Sequence, residues 1–208
     1  TPPPIPALIV SGYLGSGKTT LVSHLLKDAQ SKGLKLAIIS NEFGDTGIDR
    51  ALLDQGNEGF VELDGGCVCC RLSDALGETL EAIITQVRPD RLVLETSGVA
   101  LPGEVLIQFW RPPVDAMISE EVVVVLVDAE HLVTTDALEE TFIEQLEAAD
   151  LVLLNKRDLI DTQQASRCAQ RLDDMTGGQP VIETTHSRVD PALLYPPDPD
   201  NTRTARRD

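Results

Sequence analysis

The chain has 208 residues, 42% of them hydrophobic, with a formal net charge of -17 and a pI near 4.4. That length and apolar content suit one domain with a proper core, while the acidic balance argues against phosphate-backbone binding, since nucleic-acid proteins need a positive footprint. No apolar run reaches membrane-spanning length, and the Pro-rich residues 1–6 lack the basic and apolar regions of a signal peptide, so a cytoplasmic protein with neither a nucleic-acid nor a membrane partner is expected.

Along the chain, short apolar runs alternate with helix-length amphipathic stretches. This pattern predicts an α/β fold with a mostly parallel sheet covered by helices on both faces. The first predicted strand, 7–11, leads through Gly12-Tyr13-Leu14-Gly15-Ser16-Gly17-Lys18-Thr19 into a helix over 17–32. The segment fits G-x-x-x-x-G-K-[ST] in the strand-to-helix setting that a phosphate loop requires. Glycines let the backbone curl so that its N–H groups face phosphate oxygens at a helix N-terminus. The expected ligands are Gly12, Gly15, Ser16, Gly17, Lys18, Thr19 and Thr20, with Lys18 spanning the β and γ phosphates and the Thr19 hydroxyl on Mg²⁺. A Gly-rich turn that merely starts a helix is the plain alternative.

A second strand, 36–40, runs into Asn41-Glu42-Phe43-Gly44-Asp45, which brings Glu42 and Asp45 to the same edge for metal contact or switching, or leaves them in a solvated acidic loop. Next comes Gly66-Cys67-Val68-Cys69-Cys70-Arg71. Three thiols in four residues do not make a dispersed disulfide framework, and soft thiolates select Zn²⁺, Cu⁺ or another thiophilic ion over Mg²⁺. In an extended segment Cys67 and Cys69 share a face and Cys70 points away, so two ligands need less rearrangement than three. Buried apolar cysteines or a redox pair are the alternatives.

A helix over 72–87 precedes a strand at 91–95 that ends in Glu95-Thr96-Ser97-Gly98. Glu95 is placed to hold Mg²⁺ through water or to orient an attacking water, and the Gly98 N–H to bond the γ phosphate; a strand end with an incidental acid is the alternative. Strand 122–127, helix 137–148 and strand 150–154 follow, the last running into Asn155-Lys156-Arg157-Asp158. This N-K-x-D pattern points to guanine, because the Asp158 carboxylate can accept from both the ring N–H and the exocyclic amine, a pairing adenine cannot offer. Asn155 would stabilise the loops and the Lys156 stem would cover the base. A helix over 163–175 and a strand at 180–183 complete the predicted elements, with Gly33 and Gly177 as helix stops. From Pro191 the composition turns to Pro, Asp and Arg, and that tail is expected to make no core. His24, His131 and His186 are scattered, and Cys168 is read as incidental.

The order of G-Y-L-G-S-G-K-T-T, N-E-F-G-D-T-G-I-D, G-C-V-C-C, E-T-S-G and N-K-R-D resembles the CobW family of cytosolic GTPases, relatives of the urease and hydrogenase nickel chaperones. The resemblance runs from about residue 7 to 194 and includes Val189-Asp190-Pro191-Ala192-Leu193-Leu194, similar to the segment that closes the family's GTPase domain. It implies a P-loop NTPase fold and hydrolysis of GTP to GDP and phosphate, with Lys18, Glu95 and Gly98 in the chemistry. Lys18 and Thr19 then bind phosphate and Mg²⁺, Glu42 takes Mg²⁺ or a transition metal, and Asn155, Lys156 and Asp158 take the guanine. Cys67, Cys69 and Cys70 become the metal motif of a metallochaperone that holds Zn²⁺ or Co²⁺ and releases it on hydrolysis to a client protein or chelatase. A nucleotide- or metal-dependent homodimer stays open. The family's usual C-terminal domain and His-rich stretch are absent from the sequence, so residues 1–194 are expected to be the GTP-binding domain and 195–208 a disordered tail. A regulatory or assembly GTPase with structural cysteines is the competing reading, followed by a small-molecule kinase.

Overall fold

The computed structural model describes residues 3–40, 75–135 and 138–195. Among them lie six strands: β1 (Ile5–Gly12), β2 (Leu36–Ser40), β3 (Arg91–Glu95), β4 (Ile118–Asp128), β5 (Leu151–Asn155) and β6 (Val181–Glu183). They form one sheet in the order β2-β3-β1-β4-β5-β6, and every recorded pairing is parallel. Six α-helices lie among the described residues: α1 (Lys18–Ser31), α2 (Ala75–Val87), α3 (Pro102–Phe109), α4 (Ala129–Thr134), α5 (Glu140–Glu147) and α6 (Thr162–Thr176).

The apolar runs become strands because both faces of the sheet are covered, so each residue of a run finds a core. In β1, Ala7 and Ile9 enter one cluster and Leu8 and Val10 the other; β4 divides its valines in the same alternation. The larger cluster packs under residues of α2 to α6, while α1 covers the opposite face with Leu21, Val22, Leu25 and Leu26. Both helix stops are glycines in the left-handed region, Gly33 at φ 66° and Gly177 at φ 67°.

Two expectations need correction, and two short helices were not predicted at all. Strand β4 runs from Ile118, four residues ahead of the predicted start, because pairing with the neighbouring β1 carries it past the apolar run. The short helices α3 and α4 escape a periodicity reading because eight and six residues give too few turns. Most plainly, the segment from Pro191 does contribute to the core. It forms a 3₁₀ turn at Pro191–Leu193, Leu194 is fully buried beside the α1 side chains, and the Tyr195 ring lies 4.5 Å beneath the Arg91 guanidinium. A Pro-rich composition hid a single apolar anchor.

Candidate functional site

Parallel strands deliver their C-terminal ends to one edge, where ligands of open α/β sheets bind. The register aligns Ser40 with Glu95, Val10 with Glu95, Gly12 with Leu126, and Asp128 with Asn155. Gly12, Gly15 and Gly17 all take positive φ, at 132°, 76° and 108°. At Gly12 an added Cβ would collide with the Leu126 carbonyl, and at Gly17 with the Asn155 amide, so the curl of the loop excludes side chains there.

Lys18 is buried, and its Nζ donates to the carbonyls of Gly12 (2.8 Å) and Tyr13 (3.1 Å), folding the side chain back over the loop. Thr19 Oγ1 donates to Glu95 Oε1 at 2.8 Å, which sets a hydroxyl and a buried carboxylate side by side at the start of α1 and the end of β3. Such hard oxygen donors fit Mg²⁺, which takes few protein ligands and keeps other positions for phosphate and water. Gly98 lies against the loop as well, where a Cβ would sit 2.8 Å from the Leu14 nitrogen.

Asn155 is the junction of the site. Its Nδ2 donates to the Ser16 carbonyl (2.9 Å) and to Ser187 Oγ (2.9 Å), while its Oδ1 accepts from Thr184 Oγ1 (3.0 Å) and from the Ser187 amide (2.8 Å). Ser187 Oγ continues the chain to the Gly17 carbonyl at 2.9 Å. One side chain thus uses all its hydrogen-bonding capacity to tie the phosphate loop to the loop after β6. Lys156, at φ 60°, pairs with Asp128 at 2.6 Å, and Asp158 stands exposed on the 3₁₀ turn Arg157–Leu159.

On the loop's other flank, Tyr13 donates to Glu139 Oε2 (2.6 Å) and stacks on Phe142 at 5.5 Å between centroids, with His131 edge-on at 6.2 Å. Burial, reinforced by the neighbouring Glu139 carboxylate, pushes the Tyr13 phenol up to about 12. A cavity of about 290 Å³ adjoins these residues, lined also by Leu14, Leu126 and Asp128. Cys168 lies in the core with its thiol 3.6 Å from the Ala129 carbonyl, and burial pushes its pKa up, as expected of a packing residue. The His24 ring contacts the His186 carbonyl at 3.0 Å.

The structure therefore brings Gly12, Gly15, Ser16, Gly17, Lys18, Thr19, Glu95, Gly98 and Asn155 together at one edge. Glu42, Asp45, Cys67, Cys69, Cys70 and Arg71 lie outside the described residues. Sequence reading missed Thr184 and Ser187 as partners of Asn155; the signal available was a hydroxyl-rich Thr184-Thr185-His186-Ser187 directly after a strand in a parallel sheet. It also missed Tyr13 and Gln145, whose partners are far away in sequence.

A glycine loop leaving the central strand of an all-parallel sheet, with lysine and threonine opening the next helix, defines a P-loop nucleotide-binding protein. Residues 6–183 match the model of the CobW/HypB/UreG nucleotide-binding domain, and the chain belongs to that family. It is 32% identical over 220 residues to the zinc chaperone CobW of Sinorhizobium sp., covering 91% of this chain and 62% of that protein. It is 35% identical over 199 residues to the zinc-regulated GTPase metalloprotein activator 1 of Schizosaccharomyces pombe, covering 90% of this chain and 47% of that one. The zinc-bound YjiA GTPase of E. coli superposes with a TM-score of 0.68 at 30% identity, over 92% of this chain and 61% of that structure. The chain thus spans roughly half to three-fifths of the relatives it matches.

Proposed function

We propose that this domain, residues 1–194, binds and hydrolyses GTP and uses the change of nucleotide to load and release a transition metal for a client protein. The observation that supports it most is the Asn155 junction. It ties the end of β5, which carries the N-K-x-D residues, to the phosphate loop and the loop after β6. Base and phosphates are thereby read by one connected frame.

In this reading Lys18 exchanges the Gly12 and Tyr13 carbonyls for the β and γ phosphates, and Asp158, exposed beside Asn155, accepts from the guanine edge. Thr19 and Glu95 would hold Mg²⁺, which when bound neutralises charge on the β and γ oxygens. Gly98 meets the γ phosphate, so its loop distinguishes the two nucleotide states. Cys67, Cys69 and Cys70 supply the cargo site. The names of the relatives favour zinc over cobalt as that cargo.

A metal that binds one nucleotide state better must change nucleotide affinity by the same factor. Titration of Zn²⁺ into the GTP-analogue and GDP forms, followed by calorimetry, is expected to give different affinities, and the Cys67→Ser/Cys69→Ser variant to lose the difference. Equal affinities in both states would sink the metal switch while leaving the nucleotide site standing. Lys18→Ala is expected to abolish hydrolysis, and Asp158→Asn to move base preference toward xanthine nucleotides. Untouched GTP binding and turnover in both variants would overturn the nucleotide assignment.

A further inference from the structure

The loop after β3 closes a turn in which the Ala100 amide donates to the Ser97 carbonyl at 3.2 Å. Its inner side is held by α5. Gln145 is fully buried, and its Nε2 donates to the carbonyls of Gly98 (3.1 Å) and Ala100 (3.0 Å), 47 and 45 residues away. Its Oε1 is buried with no partner among the described residues, so the side chain serves as a double donor. An apolar residue of the same shape would spare that unpaired acceptor, and a donor aimed at two carbonyls is what the glutamine supplies in exchange.

The same helix also grips the phosphate loop. Three residues before Gln145 on α5, Phe142 stacks on Tyr13, and Glu139, the residue just ahead of the helix, accepts the Tyr13 hydroxyl. Positions three apart lie on one face of a helix, so α5 meets both loops with one side. A trans peptide holds its C=O and N–H antiparallel, so drawing the Gly98 carbonyl toward α5 turns the Val99 N–H away from it. Gln145 therefore orients the Gly98–Val99 and Ala100–Leu101 peptide planes of the loop.

We propose that Gln145 is a positioning residue for recognition of the terminal phosphate. By pinning Gly98 and Ala100 against a phosphate loop that α5 holds through Tyr13, it sets how strongly the site prefers a nucleoside triphosphate over a diphosphate. The inference rests on the guanine-nucleotide reading above and adds to it a residue outside the motif loops.

Gln145→Met keeps length and volume but removes both donors, whereas Gln145→Glu sets carboxylate oxygens against two carbonyls. Leu146→Ala, on the same helix and also fully buried, is the control for a purely structural effect. Affinities for a fluorescent non-hydrolysable GTP analogue and for fluorescent GDP are measured for each protein, alongside thermal unfolding. Gln145→Met is expected to lower the ratio of triphosphate to diphosphate affinity by about tenfold, the scale of losing one or two hydrogen bonds, with GDP affinity unchanged. Gln145→Glu is expected to lower it at least as far, and Leu146→Ala to lower the melting temperature while keeping the ratio. A Gln145→Met ratio equal to that of the unaltered protein overturns the positioning role alone, as does an equal loss in Leu146→Ala. Failure of the unaltered protein to bind guanine nucleotides overturns the functional reading itself.

Discussion

Gly12 occupies a position that no side chain can share, since its φ of 132° and the Leu126 carbonyl both exclude a Cβ. Gly12→Ala is expected to cost at least about 2 kcal/mol in urea unfolding, because strain and collision at this position outweigh the gain from a stiffer unfolded chain. Tyr13 gives a second test at the same scale. Burial and the Glu139 carboxylate push its folded pKa up to about 12, above the ordinary phenol value of about 10, so the protonated phenol is the form that folding favours. The stability it contributes is complete below pH 10 and is lost as pH rises through 12. Tyr13→Phe is expected to flatten the fall in stability over that window when both proteins are unfolded in urea at a series of pH values. The glycines, Lys18 and Thr19 were legible in the sequence because their geometry is local, one loop and one helix start. Gln145 was not, because an isolated glutamine in a helix carries no sign of two carbonyls 45 and 47 residues upstream.

Secondary elements were legible in proportion to how much of their burial the chain spells out. Strands β2 and β3 match the predicted 36–40 and 91–95 because each run alternates between two cores and is apolar nearly throughout. Helix α6 starts on a capping box, in which Asp161 accepts from the Gln164 amide and the Gln164 side chain accepts from the Asp161 amide. Helix α5 is shorter than the predicted 137–148, beginning at Glu140 after Glu139 has turned its side chain to Tyr13. The importance of α5 lies in contacts that periodicity does not encode. Phe142→Ala is expected to destabilise the domain by about 3–5 kcal/mol, as loss of a fully buried aromatic does, and to raise Tyr13 fluorescence quenching by acrylamide. Quenching identical to that of the unaltered protein would show that the stack does not shield the phosphate loop.

For the whole molecule, a sheet covered on both faces was legible from alternating apolar runs, but the unequal division of the covering was not. Among the described helices one, α1, takes the face where Leu194 completes the core, and five take the other. Leu194→Ala is therefore expected to cost about 2–5 kcal/mol by chemical denaturation, an effect more typical of a central strand than of a Pro-rich end. A loss below about 0.5 kcal/mol would show Leu194 to be dispensable. The Asn155 junction has a consequence for synthesis. It joins Ser16 to Ser187, so the phosphate loop is made early but completed late. Contacts this distant along the chain close slowly and after local ones. During translation the loop leaves the ribosome long before the strands and hydroxyls that hold it, and a nascent chain stalled before Ser187 would carry the whole phosphate motif without a finished place to bind a nucleotide.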